Sequence, residues 1–190
     1  MGFFERSDMP QPEAFPLFGV RHILLLLVLA ACIIAGLLLI RRLKPPQAQR
    51  VLYGAAILVP LLELSHSVWL YLTGTTSLIK LLPLHLCGLQ SLLIPLAVFT
   101  KFTCFRDFVY ATSLLGGIFG TVMPSGVADY YPLWSFQTLQ TFALHGLLIF
   151  VPLAMILCGQ HWPSIQRFPR VLCIFLLAAL GLGIVEQMFL

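Results

Sequence analysis

Six long apolar stretches, separated by short breaks of charge, proline and glycine, leave this chain few folds to choose from. A helix needs about twenty predominantly apolar residues to cross a bilayer, and it satisfies its own backbone there without help from water. The stretches run from about Arg21 to Ile40, Val51 to Thr73, Leu78 to Phe99, Phe105 to Met123, Trp134 to Cys158 and Arg170 to the last residue. The expected fold class is therefore all-α, a polytopic transmembrane helix bundle with about six helices. Residues 1–20 are expected to form an interfacial lead-in and residues 21–190 a single helical domain. Pro60 and Pro95 predict kinks, since a proline inside a helix removes one hydrogen bond and crowds the preceding turn. At 59% hydrophobic and 9% charged, the 190 residues lie far from the balance of a soluble domain.

The formal charge of +4 is set by cations that flank the apolar stretches, where they orient helices rather than bind nucleic acid. Arg41, Arg42, Lys44, Arg50, Lys101, Arg106, Arg167 and Arg170 fall in the breaks after the first, third and fifth stretches, against Arg6, Arg21 and Lys80 on the other side. Positive residues stay inside, so the amino terminus is expected outside. Phe3, Phe4, Phe15 and Phe18 suit a headgroup-level segment, and the mixed acids and prolines of this start are unlike a cleaved signal. The chain closes on V-E-Q-M-F-L without a polar tail, as expected of a final segment given only in part. Cys32, Cys87, Cys104, Cys158 and Cys173 show no regular spacing, which argues against a disulfide framework or a zinc ribbon.

Polar side chains inside the apolar stretches carry the functional reading. In hydrocarbon they are costly unless partnered or used. At a rise of about 1.5 Å per residue, Cys87 and His66 lie roughly 10 Å in from the outer helix ends, and Glu63 and His145 roughly 15 Å. Four ionisable groups from three helices thus share one depth. Each also has a plainer reading. Glu63 and His66, three apart on a helix, can satisfy each other, and a cysteine is a common small filler. His85 lies on the far side of an ideal helix from Cys87, which makes it a supporting rather than reacting group. Gly116 and Gly120 have the spacing of close helix packing and say little about chemistry.

The fifth stretch sharpens the picture. Its outer half carries Ser135, Gln137, Thr138, Gln140, Thr141 and His145, and its inner half is wholly apolar, as expected of a helix lining a polar cavity open to the outer side. The preceding loop M-P-S-G-V-A-D-Y-Y-P-L-W places Asp129, Tyr130, Tyr131 and Trp134 at interface depth, as a binding rim or as an ordinary aromatic belt. A thiol, an imidazole and a carboxylate that converge are the parts of a nucleophile, a base and an orienting group. A thiol in apolar surroundings needs a base beside it to ionise, and His145 is the candidate for Cys87. The same cluster also suits proton movement or transport.

L-P-L-H-L-C at the third stretch, F-G-V-R-H at the first, P-S-G-V-A-D-Y-Y-P before the fifth and F-A-L-H-G within it resemble the YwaF-type bacterial integral membrane proteins. These are related to a eukaryotic acyltransferase that remodels ether phospholipids and, more distantly, to the androgen-induced membrane fatty-ester hydrolases. The resemblance implies a cysteine nucleophile and a histidine partner, at Cys87 and His145, and a bacterial plasma-membrane location. It implies phospholipid and lysophospholipid as substrates in the bilayer, no nucleic acid and no cofactor. Glu63 would then orient a histidine. His66 or Gln90 would stabilise the oxyanion, with His85, Thr141 and Asp129 in support. Two departures stand out. The family's carboxyl-terminal asparagine, tyrosine and proline are not visible, and Ala128 precedes Asp129 where a proline is expected.

Two other readings remain open from the residues. Glu63-x-x-His66 with His85 and His145 could ligate a metal ion in a membrane hydrolase. A cavity could instead hold or pass a ligand without chemistry, although no inverted repeat or broken-helix pair supports a transporter.

Overall fold

The computed structural model describes residues 2–75, 86–100 and 102–189. Lys80, His85 and the first part of the third apolar stretch lie outside the described residues. Six α-helices follow one another, with no strand among the described residues: α1 (Val20–Arg42), α2 (Pro45–Leu72), α3 (Leu86–Phe99), α4 (Thr103–Val122), α5 (Phe136–Leu157) and α6 (Phe168–Phe189), with one short 3-10 turn at Ile165–Arg167. Among the described residues α1, α2 and α5 are long and apolar enough to cross a membrane.

The local sequence explains where helices stop and start. Leu43 and Lys44 leave the helical region, and Pro45 and Pro46 then occupy the first turn of α2, where a missing N–H costs nothing. Ser135 caps α5 by accepting from the Thr138 backbone N–H at 3.2 Å. Pro60, Pro95 and Pro152 lie inside α2, α3 and α5.

Packing centres on α5, which touches α1, α2, α3 and α4. Glycines set the closest approaches. A methyl group added at Gly117 would lie 2.8 Å from the His145 backbone oxygen and 2.7 Å from Ile149, and one at Gly146 would lie 2.7 Å from Leu29. Close backbone approach through small residues is how helices associate in a bilayer, where burial of apolar surface gives no drive of its own. The middle and one end of the bundle are filled by Leu52, Val59, Ile94, Val109, Leu148 and Val151, all fully buried.

The amino-terminal segment closes one end. Phe3 and Phe4 carbonyls accept from the Phe136 backbone N–H and Trp69 Nε1, each at 2.8 Å, and the Ser7 N–H donates to Tyr131 Oη. Phe15, fully buried, packs with Trp69, Val127, Tyr131 and Phe142. His22 then joins three pieces of chain. Its Nδ1 accepts from the Phe18 N–H at 3.1 Å, so Nε2 carries the proton and donates to the Thr121 carbonyl at 3.0 Å. At the opposite, arginine-rich end, Arg106 donates to the carbonyls of Ala97, Thr100 and Gln160. One guanidinium thereby pins the chain leaving α3 and α5, at helix ends that favour a cation.

Candidate functional site

A cavity of about 420 Å³ lies between α2, α3, α4 and α5, with the loop residues Pro124, Ser125 and Val127 in its lining. Glu63 and His66 reach it from α2, Cys87 from the first turn of α3, and Gln137, Gln140, Thr141 and His145 from α5. The loop residues contribute one wall, and Phe119 and Met123 another. The four ionisable groups aligned by depth in the sequence therefore meet in one space.

Helix α4 builds the seat for the two central groups. Gly116 stands against Cys87, so that a methyl group there would lie 3.5 Å from Sγ, in ordinary contact. A methyl group at Gly120 would overlap the His145 ring, and 2.8 Å would separate it from Cγ. Residues four apart on a helix occupy consecutive turns of one face, with about 5–6 Å between their Cβ positions. The thiol and the imidazole thus lie over neighbouring bare turns of one helix. The close-packing reading of this glycine pair was incomplete, because its empty volume is also what admits the imidazole.

The ring of His145 is oriented by its own helix. Its Nδ1 lies 2.8 Å from the Thr141 carbonyl, which can only accept, so Nδ1 carries the proton and the lone pair of the neutral ring is on Nε2. Nε2 is the nitrogen a general base needs. Thr141 supports the histidine through its main chain and also lines the cavity. His66 stacks on Trp69 with ring centres 5.8 Å apart. Glu63 is 5% exposed. Gln140 Nε2 donates to the Leu62 carbonyl at 3.3 Å, tying α5 to α2 beside the cavity.

Other expected participants stand elsewhere. Gln90 is buried, but it does not line this cavity: its Nε2 donates to Thr112 Oγ1 at 2.8 Å, and Thr112 donates in turn to the Phe108 carbonyl. Its amide therefore ties α3 to α4 instead of facing a developing oxyanion. Asp129 is exposed and outside the lining, and its contribution is a backbone one. Its N–H donates to Phe15 O at 3.0 Å and its carbonyl accepts from Gln11, at a φ of 66° that aspartate tolerates better than most residues. His85 lies outside the described residues. Among those described, no three His, Cys, Asp or Glu side chains gather closely enough to hold a metal ion.

Residues 17–189 match the model of the TMEM164 family. The chain belongs to the TMEM164 family. This is a family of transmembrane proteins, and with three helices of spanning length and apolarity it makes the chain an integral membrane protein. The match takes in every helix and the whole cavity of this TMEM164-family chain, and leaves out only the amino-terminal strap and the last residue. No curated protein and no solved structure matches the chain.

Proposed function

We propose that this protein is a membrane-embedded acyltransferase that moves a fatty acyl chain between phospholipid and lysophospholipid through a thioester on Cys87. The observation that supports it most is the seating of Cys87 and His145 on consecutive glycine turns of α4, in one cavity with Glu63. Sequence motifs that resemble those of a lipid-remodelling acyltransferase point the same way.

The chemistry follows from the tautomer. His145 Nε2 takes the thiol proton as Sγ attacks the ester carbonyl of a donor lipid, giving a tetrahedral intermediate. The intermediate collapses when the C–O bond breaks, and the imidazolium returns its proton to the departing oxygen, so that lysophospholipid leaves and the acyl chain remains on sulfur. A second lysophospholipid hydroxyl gives its proton to Nε2, attacks the thioester and expels the thiolate, which recovers the proton. The carboxylate of Glu63 stabilises the imidazolium that forms twice in each cycle. The apolar wall of Phe119 and Met123, both exposed on the flank of the bundle, admits an acyl chain from the bilayer. The bias of basic residues supports a cavity end outside and an Arg106 end facing the cytoplasm, and the resemblance to bacterial membrane proteins supports a bacterial plasma membrane.

Purified protein incubated with a labelled phospholipid donor and no acceptor should retain label on Cys87, released by neutral hydroxylamine. Adding lysophospholipid should discharge the label into phospholipid. Discharge by water alone would make the enzyme a hydrolase, and a label that maps to another cysteine would sink the mechanism.

A further inference from the structure

The arginine-rich end holds a second polar cluster that acyl transfer does not use. Asp107, in the second turn of α4, and His161, in the loop after α5, are each 5% exposed. Arg167 reaches them from the 3-10 turn before α6, with Nε 3.2 Å from Asp107 Oδ1, and His161 Nε2 is 3.7 Å from the same oxygen. Neither approach is a hydrogen bond. Asp107 Oδ2, His161 Nε2 and Arg167 Nε are all buried with no hydrogen-bond partner among the described residues. Since roughly nine in ten buried polar groups are paired, three orphans around one carboxylate indicate an occupant. All three residues line a cavity of about 220 Å³ whose other walls include Ala111, Ile165, Phe168 and Val171 together with Tyr110 and Ser164.

The orphans restrict what that occupant can be. A carboxylate oxygen only accepts and a guanidinium nitrogen only donates, so the ligand must give a hydrogen to one and take one from the other. One hydroxyl does both. The Asp107 and Arg167 charges cancel, and the nearby Arg106 guanidinium is turned to the Ala97, Thr100 and Gln160 carbonyls and does not line the cavity, so an anion would face the carboxylate and a cation the guanidinium. Apart from the hydroxyl-bearing Tyr110 and Ser164, the remaining walls are apolar and sit where α6 begins, so an apolar body belongs beyond the hydroxyl. We propose that Asp107, His161 and Arg167 form a binding site for the hydroxyl headgroup of a neutral amphiphile of the monoacylglycerol kind.

The full chain in phosphatidylcholine nanodiscs, photolabelled with a monoacylglycerol carrying a diazirine in its chain, tests this. Saturable label is expected on residues 107–111 and 161–171. A tenfold excess of unlabelled monoacylglycerol should remove most of it, and the fatty acid methyl ester, which lacks the hydroxyls, should not. Asp107→Asn should lower the saturable label at least tenfold. Ala111→Phe, which fills the cavity from its apolar side, should do the same if the first variant folds poorly. Cys87→Ala should keep the label, which separates this site from the acyl-transfer reading. Competition by the methyl ester would overturn hydroxyl recognition. Competition by free glycerol at equal concentration would move the ligand from the bilayer to water and overturn the amphiphile. An absence of saturable label would leave water as the occupant, at about 30 Å³ a molecule, and overturn the site.

Discussion

Each end of the bundle buries a carboxylate near an imidazole, and the two ends differ in what stands beside them. Glu63 shares its cavity of about 420 Å³ with Cys87, His66 and His145, and no lysine or arginine is among the described lining residues. Asp107, in a space about half that size, has the Arg167 guanidinium 3.2 Å away. A neighbouring guanidinium compensates the carboxylate permanently, so that cluster can anchor chain or hold a neutral ligand. Without one, a carboxylate can answer a positive charge that appears and disappears, as on an imidazole during proton transfer. On the proposed mechanism, the contrast separates a reacting site from a static one.

Removing the thiol breaks that contrast most completely. Cys87→Ala should abolish acyl labelling and transfer, while joint replacement of Cys32, Cys158 and Cys173, of which two are exposed, should leave turnover within about twofold on the reading of these cysteines as fillers. Full activity in Cys87→Ala would end the thioester mechanism. The next largest effect belongs to the base: His145→Ala should slow acylation by roughly 10²- to 10⁴-fold in single-turnover measurements.

Gly120→Ala sharpens the comparison geometrically, because the added methyl must push the His145 ring aside. A displacement of about 1 Å at a reacting group costs about 10²-fold, so kcat should fall by that order with a smaller change in KM. Gly54→Ala in α2, where a methyl group meets nothing within 4 Å, should be silent. Equal effects of the two substitutions would assign Gly120 to helix packing alone.

The opposite end should answer in stability and not in turnover. Arg167→Gln leaves Asp107 buried without its cation and should destabilise the fold by about 1–3 kcal/mol, read as a lowered thermal midpoint in detergent with transfer per folded molecule unchanged. The smallest effect concerns pH. Burial holds His161 below its ordinary value of 6.5; Asp107 opposes this, and Arg167 and Arg106 add to it. The unfolded chain then binds the proton more readily than the folded one, so His161 contributes full stability above about pH 6.5 and loses it as pH falls toward its folded value. The thermal midpoint should drop between pH 7 and pH 5, and by less in His161→Gln.

The six α-helices among the described residues and their approximate limits were legible because bilayer thickness sets the length of an apolar run, and α1, α2 and α5 reach spanning length and apolarity. The Arg41–Pro46 break marks an end that any membrane helix would obey. Depth was legible too. A fixed rise per residue converts sequence position into height, and that alone aligned Glu63, His66, Cys87 and His145. Asp107 carried a readable signal, an acid inside an apolar stretch, but its partners His161 and Arg167 come from two other elements.

Azimuth belongs to the tertiary structure. Gln90 sits at a suitable depth, yet the rotation of α3 against α4 turns its amide to Thr112. The glycines of α4 read as packing until α5 brought the His145 ring over Gly120. The sequence by itself therefore determined an all-helical membrane protein and the level of its polar groups, since both follow from each helix alone. Which of those groups face one another depends on how each helix is rotated about its axis, and that is decided only when neighbouring surfaces interlock.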